Sequence, residues 1–315
     1  MSVTPLPRLR TPLCELLGVD YPIIQTGMGW VAGPKLVSAS ANAGIMGILA
    51  SATMDFDQLK TSIAEVKTRT TKPFGVNLRA DSADVQDRIS LMIDEGIKVA
   101  SFAQAPKPEL ISRLKDAGVV VIPSIGAKRH AEKVLEWGVD AVLVQGGEGG
   151  GHTGSVPTSV LLPQVVDAVA GRVPVIAAGG FFDGRGLIAA LAYGASGVAM
   201  GTRFLLTSDS SVPQTVKDYY LSRGVLDTVV SVQVDGVPHR VLRTDLVNQL
   251  ESGRGKFLAL PRAGINALRF RKMTGAKLRD MLREGLMMKK SMELSYSQMV
   301  MAANTPMLLK TSLVD

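Results

Sequence analysis

The sequence predicts an α/β chain folded as a (β/α)8 TIM barrel, followed by a smaller, mostly helical C-terminal segment. Three observations predict it. Eight short apolar runs recur at steps of 20 to 34 residues. Helix-like segments separate them. The runs are continuously apolar rather than alternating, as strands buried on both faces of a parallel sheet are. Eight such βα units close a barrel. A doubly wound sheet usually has fewer strands, and no G-x-G-x-x-G follows the first run here.

The runs begin near Ile23 (IIQT), Ile45 (IMGILAS), Phe74 (FGVNLR), Val99 (VASFA), Val119 (VVVIPS), Ala141 (AVLVQG), Val175 (VIAAGG) and Val198 (VAMGTRF). Helices are expected over Pro34–Ala43, Asp57–Thr68, Lys107–Asp116, Lys128–Trp137, Pro163–Ala170 and Gly184–Ala192. After Phe204 the pattern changes to helical character, with one strand-like piece at Val229–Val234 and a turn at Asp235–Pro238. The expected division is a barrel core over 1–205 and a substrate-covering segment over 206–315. Eight of the 14 methionines lie between Met273 and Met307. They suit helix packing against the barrel, or an adaptable wall for a bulky apolar ligand.

Composition narrows the setting. The chain is 46% hydrophobic and 20% charged, as soluble globular proteins are. No apolar leader opens it and no run of about 18 apolar residues suggests a membrane span. Cys14 is the single cysteine, which excludes an internal disulfide and a cysteine-rich zinc site and fits a reducing cytoplasm. The net charge of +7 is concentrated at the end: from Arg240 onward there are 14 Lys/Arg against 6 Asp/Glu. That excess is a solvated face or an attractor of an anionic ligand. Nucleic acid is not expected, because no stacking set of aromatics is interleaved with the cations.

The most unusual sequence follows the sixth run, within the longest step. Gln145–Gly154 holds six glycines, Glu148 and His152. In a TIM barrel the loops after the strands form the catalytic face. Glycines let a backbone approach a flat or anionic ligand, and an imidazole exchanges protons near neutral pH. Gly179–Gly180 and Gly201–Thr202 end the seventh and eighth runs, where barrels bind phosphate. Gln25 and Asn77, ending the first and third runs, supply amides for the polar edge of a flat ring, with Gly27 and Gly29 close by. Trp30 is a core anchor or a substrate contact. Glu148 orients the loop or the imidazole, or accepts a backbone N–H. His130 is expected at a helix surface, and His239 as structural after a turn. There is no G-x-S-x-G elbow and no H-E-x-x-H, and with three histidines no metal site is expected.

The run Q-G-x-E-x-G-G-H-x-G, with the later I-A-A-G-G and G-T-R-F and the G-x-P-x-R at Gly236, Pro238 and Arg240, resembles the FMN-dependent nitronate monooxygenase family over roughly residues 10–245. It also resembles the flavin-dependent enoyl-acyl-carrier-protein reductases. Within this superfamily the whole chain looks most like the flavin CoA-ester dehydrogenases of bacterial sterol C/D-ring degradation (IpdC type). That likeness includes Thr26–Gly33, Gly179–Gly186 and Met301–Leu309. The resemblance implies FMN, with its phosphate on Gly179, Gly180, Gly201 and Thr202. It implies Gln25, Met28, Asn77, Gln145 and Gly150 along the isoalloxazine, with Thr26, Gly27 and Gly151 completing the cofactor set. His152 matches the family's active-site histidine. One departure stands out: nitronate monooxygenases usually carry Pro before the Met of the first loop, where this chain has Gly27.

The expected reaction is dehydrogenation of a steroid-ring-derived acyl-CoA thioester, with hydride passing to flavin N5 and proton transfer by His152. Arg79, Arg203, Arg240 and Arg243 are candidates for the anionic groups of the substrate. Nitronate oxidation with oxygen and enoyl-thioester reduction stay open as alternatives, and so does a homo-oligomer.

Overall fold

The computed structural model describes residues 9–233 and 236–251. These form two compact units, 9–149 with 154–212, and 150–153 with 213–251. The Met-rich stretch from Met273 to Met307 and most of the basic C-terminal excess lie outside the described residues.

The first unit is a closed barrel of eight parallel strands. They are β1 (Ile23–Gln25), β2 (Met46–Ala50), β3 (Gly75–Leu78), β4 (Val99–Phe102), β5 (Val120–Ile125), β6 (Val142–Gln145), β8 (Val175–Ala178) and β9 (Gly197–Met200). Each starts within one residue of the expected position. The helices are α1 (Pro12–Leu17), α2 (Pro34–Asn42), α3 (Phe56–Arg69), α4 (Val85–Asp94), α5 (Pro108–Asp116), α6 (Lys128–Glu136), α7 (Thr158–Val169), α8 (Gly184–Ala192) and the short α9 (Thr202–Leu205).

The alternation of strand side chains builds two apolar layers. Leu49, Val76, Leu78, Ala100, Phe102, Val121, Val144 and Ala177 pack with the helices, against residues such as Leu59, Ile63, Ile89 and Leu162. Their neighbours along the strands, including Ile48, Val99, Ile122, Leu143, Ile176 and Ala199, fill a second cluster together with Leu13, Cys14 and Leu17 of α1. Local signals agree with the tertiary ones. Asp55 and Gln58 form a reciprocal capping box at the start of α3, which stabilises by about 1 kcal/mol.

Helix α7 departs from expectation. It starts at Thr158, five residues before the expected Pro163, and carries Pro163 inside it. Burial of Leu161, Leu162 and Val165 holds the turns on either side of the proline.

The second unit holds β7 (Gly151–His152), α10 (Gln214–Leu221), β10 (Thr228–Ser231), β11 (His239–Leu242) and α11 (Asp245–Glu251). Among the described residues, two helices therefore stand beside a three-stranded antiparallel sheet, in the order β10-β11-β7. The strand-like piece from Val229 finds its partner in β11, a strand the sequence pattern did not show. No described helix is long and apolar enough to cross a membrane.

Candidate active site

The barrel gathers much of the expected site at the C-terminal ends of its strands. Gln25 ends β1, Asn77 stands next to last in β3, and Gln145 ends β6. The Gln25 side chain is fully buried. Its Nε2 donates to the carbonyls of Thr26 at 2.5 Å and Ile48 at 3.2 Å. Its Oε1 has no hydrogen-bond partner among the described residues. A buried acceptor left this way is costly unless a ligand or water donates to it.

Asn77 is held at the same ends. Its Nδ2 lies 3.4 and 3.5 Å from the Ser101 carbonyl and hydroxyl, and its carbonyl accepts the Ser51 hydroxyl at 2.5 Å. The loop containing Ser51 is clamped by Arg88 of α4, a buried guanidinium. Arg88 donates to the carbonyls of Ser51 (3.0 Å) and Met54 (2.8 Å) and to Asp84 (2.9 Å). Gly27 fits closely over Asn77: a Cβ at residue 27 would lie 2.5 Å from the Asn77 Cβ. Glycine at this departure from the family pattern therefore has a local cause.

The β1 and β9 loops meet. The Thr26 N–H donates to the Met200 carbonyl at 3.2 Å. A Cβ at Gly201 would stand 3.4 Å from Thr26 Oγ1 and 3.5 Å from Met28 Sδ. The first intrahelical donor of α9 is the Phe204 N–H, to the Gly201 carbonyl at 2.9 Å. The N–H groups of Thr202 and Arg203 thus stand at the helix start, where no carbonyl precedes them. Gly179 and Gly180 adopt φ of 101° and 83°, a pair of conformations that L side chains rarely take.

Glu148 is an acceptor of a backbone N–H. Its Oε2 takes the Thr158 N–H at 2.8 Å and the Thr158 hydroxyl at 2.7 Å, placing a carboxylate at the N-terminus of α7. The Gly147 N–H donates to the Val156 carbonyl at 2.7 Å and the Gly146 N–H to the Ala178 carbonyl at 3.0 Å. Both stems of the glycine-rich loop are thereby fixed in the barrel unit.

In the second unit, Gly150 leads into β7, Gly151 has φ 71°, and His152 pairs with His239 across the β7–β11 ladder. The two imidazoles lie with centroids 4.5 Å apart and planes tilted by 46°. Arg240 stands opposite Gly151 and donates from Nη1 to Thr228 at 3.0 Å. Arg243 is exposed, and its N–H donates to the Asp227 carbonyl at 2.8 Å.

Of the barrel arginines, Arg203 is exposed, while Arg79 is engaged bidentately by Asp81 at 3.0 and 2.8 Å. That hydrogen-bonded guanidinium is the main cause holding the Asp81 carboxyl below its ordinary range. Trp30 is 47% exposed and has φ 65°, so it is no core anchor. A bulky residue held in that region is strained. His130 is exposed on α6, as expected. Among the described residues no group of three or more His, Cys, Asp or Glu could hold a metal ion.

The family model described as nitronate monooxygenase matches residues 10–313. The chain belongs to the nitronate monooxygenase family. Its relatives include the "(3aS,4S,5R,7aS)-5-hydroxy-7a-methyl-1-oxo-octahydro-1H-indene-4-carboxyl-CoA dehydrogenase" of Mycobacterium tuberculosis, 65% identical over 98% of this chain and 87% of that protein. The enzyme of the same name from Rhodococcus jostii is 63% identical over 98% of this chain and 86% of its own length. Among solved structures, FabK from Thermotoga maritima matches with a TM-score of 0.76 and 38% identity, covering 84% of each chain. The nitronate monooxygenase family is one of flavin enzymes, and a flavin suits the barrel ends described above. The buried Gln25 Oε1, an acceptor without a partner among the described residues, suits the N–H of a ligand of this kind.

Sequence reasoning missed three local arrangements. Arg88 sits in a helix whose charge pattern looks like any solvated face. Thr158 was hidden because the helix was read as starting at Pro163. The His152–His239 pairing joins residues 87 positions apart, and no local pattern signals it.

Proposed function

We propose that the chain is an FMN-dependent dehydrogenase that introduces an α,β double bond into a bicyclic, steroid-ring-derived acyl-CoA thioester. The observation that carries this reading is the 65% identity, over nearly the whole chain, to an enzyme named for a methyl-oxo-octahydroindene carboxyl-CoA. FMN in particular is supported by the phosphate-type backbone at Gly179, Gly180, Gly201 and Thr202, where two left-handed glycines and the start of α9 offer N–H groups.

The chain's own residues divide the work. Gln25 Oε1 and the amides of Asn77 and Gln145 serve the polar edge of the flavin ring, with Thr26, Gly27, Met28, Gly150 and Gly151 in the cofactor set. Bound FMN supplies the hydride acceptor. The thioester carbonyl makes the adjacent C–H acidic, and His152 takes that proton as general base and passes it to water. Trp30 contacts the substrate's apolar rings. The exposed Arg203 and Arg243 attract the CoA phosphates, with Arg240, three residues before Arg243, and Arg79 adding positive charge.

The family match also favours a second reading, oxidation of alkyl nitronates, which consumes oxygen and needs no CoA. The test is the His152→Ala variant assayed with the CoA thioester. It should retain FMN and turn over roughly 10²–10⁴ times more slowly. Near-normal turnover removes His152 from the mechanism.

A further inference from the structure

We propose that His239 is a positioning residue for His152, its ring forming a wall against the His152 imidazole. This rests on the reading of His152 as the proton-transfer group. The carrying observation is geometric. His239 and His152 are directly opposed in the β7–β11 ladder, so their side chains leave the same face of the sheet. Their ring centroids are 4.5 Å apart. The ladder is anchored on both sides of His152, by the pairing of Arg240 with Gly151 and by the Thr153 N–H donating to the Pro238 carbonyl at 3.0 Å.

Two consequences follow from that contact. A β7 strand of two residues does little to fix a side chain, and the facing ring supplies the missing wall. With the ring held, the His152 nitrogen that takes the substrate proton keeps one position, and misplacing such a group is costly. The proton balance is simple: it leaves the substrate carbon for a His152 ring nitrogen and then leaves for water.

Neighbouring side chains in the sheet and along the loop make contacts of their own. Arg240 of β11 is turned to Thr228. Ser231, opposite His239 on β10, has its hydroxyl bonded to Glu251 of α11. Glu148, four residues before His152, has its carboxylate on Thr158.

The test uses the FMN-loaded enzyme and its His239→Phe and His239→Ala variants. Values of kcat and KM for the CoA thioester are measured for each, and FMN content is read by absorbance. His239→Phe keeps a ring wall and should hold kcat within about threefold of wild type. His239→Ala removes the wall and should lose roughly tenfold to a hundredfold in kcat, with KM and FMN content close to wild type. A His239→Ala variant with wild-type kcat, beside an inactive His152→Ala variant, overturns this inference alone. A His239→Phe variant as slow as His239→Ala overturns it too, because the ring would then not be the wall. A fully active His152→Ala variant overturns it together with the reading it rests on. If the alanine variant does not fold, His239→Leu, which also lacks a ring, replaces it and is judged by the same criterion.

Discussion

The Glu148 carboxylate accepts both the backbone N–H and the hydroxyl of Thr158, at 2.8 and 2.7 Å. A loop carboxylate thereby does the work of a helix cap for α7, whose own N-cap position is Pro157 and offers no side-chain acceptor. Replacing Glu148 by Ala should cost about 1–2 kcal/mol and release the loop stem that leads to His152. A lowered melting temperature together with a fall in kcat is expected. Glu148→Gln keeps an oxygen acceptor and should recover most of both. Wild-type kcat in Glu148→Ala would show that the loop keeps its course without this contact.

Arg88 is the buried strut under the Ser51–Met54 loop and, through the Ser51 hydroxyl, under Asn77. Truncation to Ala strands two carbonyls and Asp84, and should cost about 3–5 kcal/mol in urea unfolding. With Asn77 at the flavin edge, as proposed, flavin retention should fall in parallel. Unchanged flavin affinity would confine Arg88 to stability.

Gly27 is fixed by the nearness of Asn77. A methyl at residue 27 would overlap the Asn77 Cβ, at 2.5 Å. Gly27→Ala should therefore cost about 1–3 kcal/mol and lower flavin occupancy of the purified protein, and Gly27→Pro more so. Full occupancy in Gly27→Pro would mean that Asn77 can move aside without loss.

Much of this was legible in the chain. The eight strands are continuous apolar runs, and nothing else in the sequence competes for that pattern. The glycine clusters after the sixth, seventh and eighth strands lie, as expected, in loops that leave the C-terminal ends of β6, β8 and β9. The start of α7 was not legible, because Pro163 imitates a helix start and the true first turn is completed by Glu148, ten residues before Thr158. Strand β11 was hidden for a similar reason: one of its two partners is a two-residue strand inside the glycine-rich loop. His239 became visible as a neighbour of His152 only through that pairing.

Trp30 combines exposure with a left-handed backbone. Trp30→Gly relieves the backbone strain while losing little burial, so stability should change by less than about 1 kcal/mol. KM for the thioester should rise severalfold with kcat less affected. An unchanged KM would remove Trp30 from the substrate contacts.

Acid should weaken the barrel through Asp81 and Asp84. The Asp81 carboxyl is held low chiefly by the Arg79 side chain. For Asp84, burial is the largest single influence and pushes it up, but the Ser82 hydroxyl and the Arg88 guanidinium together outweigh burial, and the net direction is down. Folded-state values below the unfolded reference of about 3.9 mean that the unfolded chain binds more protons. This stability is present above that reference and is lost as pH falls through the folded values. The urea midpoint should drop between about pH 5 and about pH 3, and Asp84→Asn should reduce the drop. Identical pH dependence in Asp84→Asn would exclude Asp84 as a contributor. Exposure of Asp81 keeps its share small.

The most direct measurement is an anaerobic spectral titration of the FMN-loaded protein with a saturated bicyclic methyl-oxo-octahydroindene carboxyl-CoA thioester. Bleaching of the oxidised flavin band, complete at about one equivalent of thioester, is the expected result. An unchanged spectrum with the thioester, in protein that an alkyl nitronate then reduces, would contradict the dehydrogenase assignment and favour nitronate oxidation.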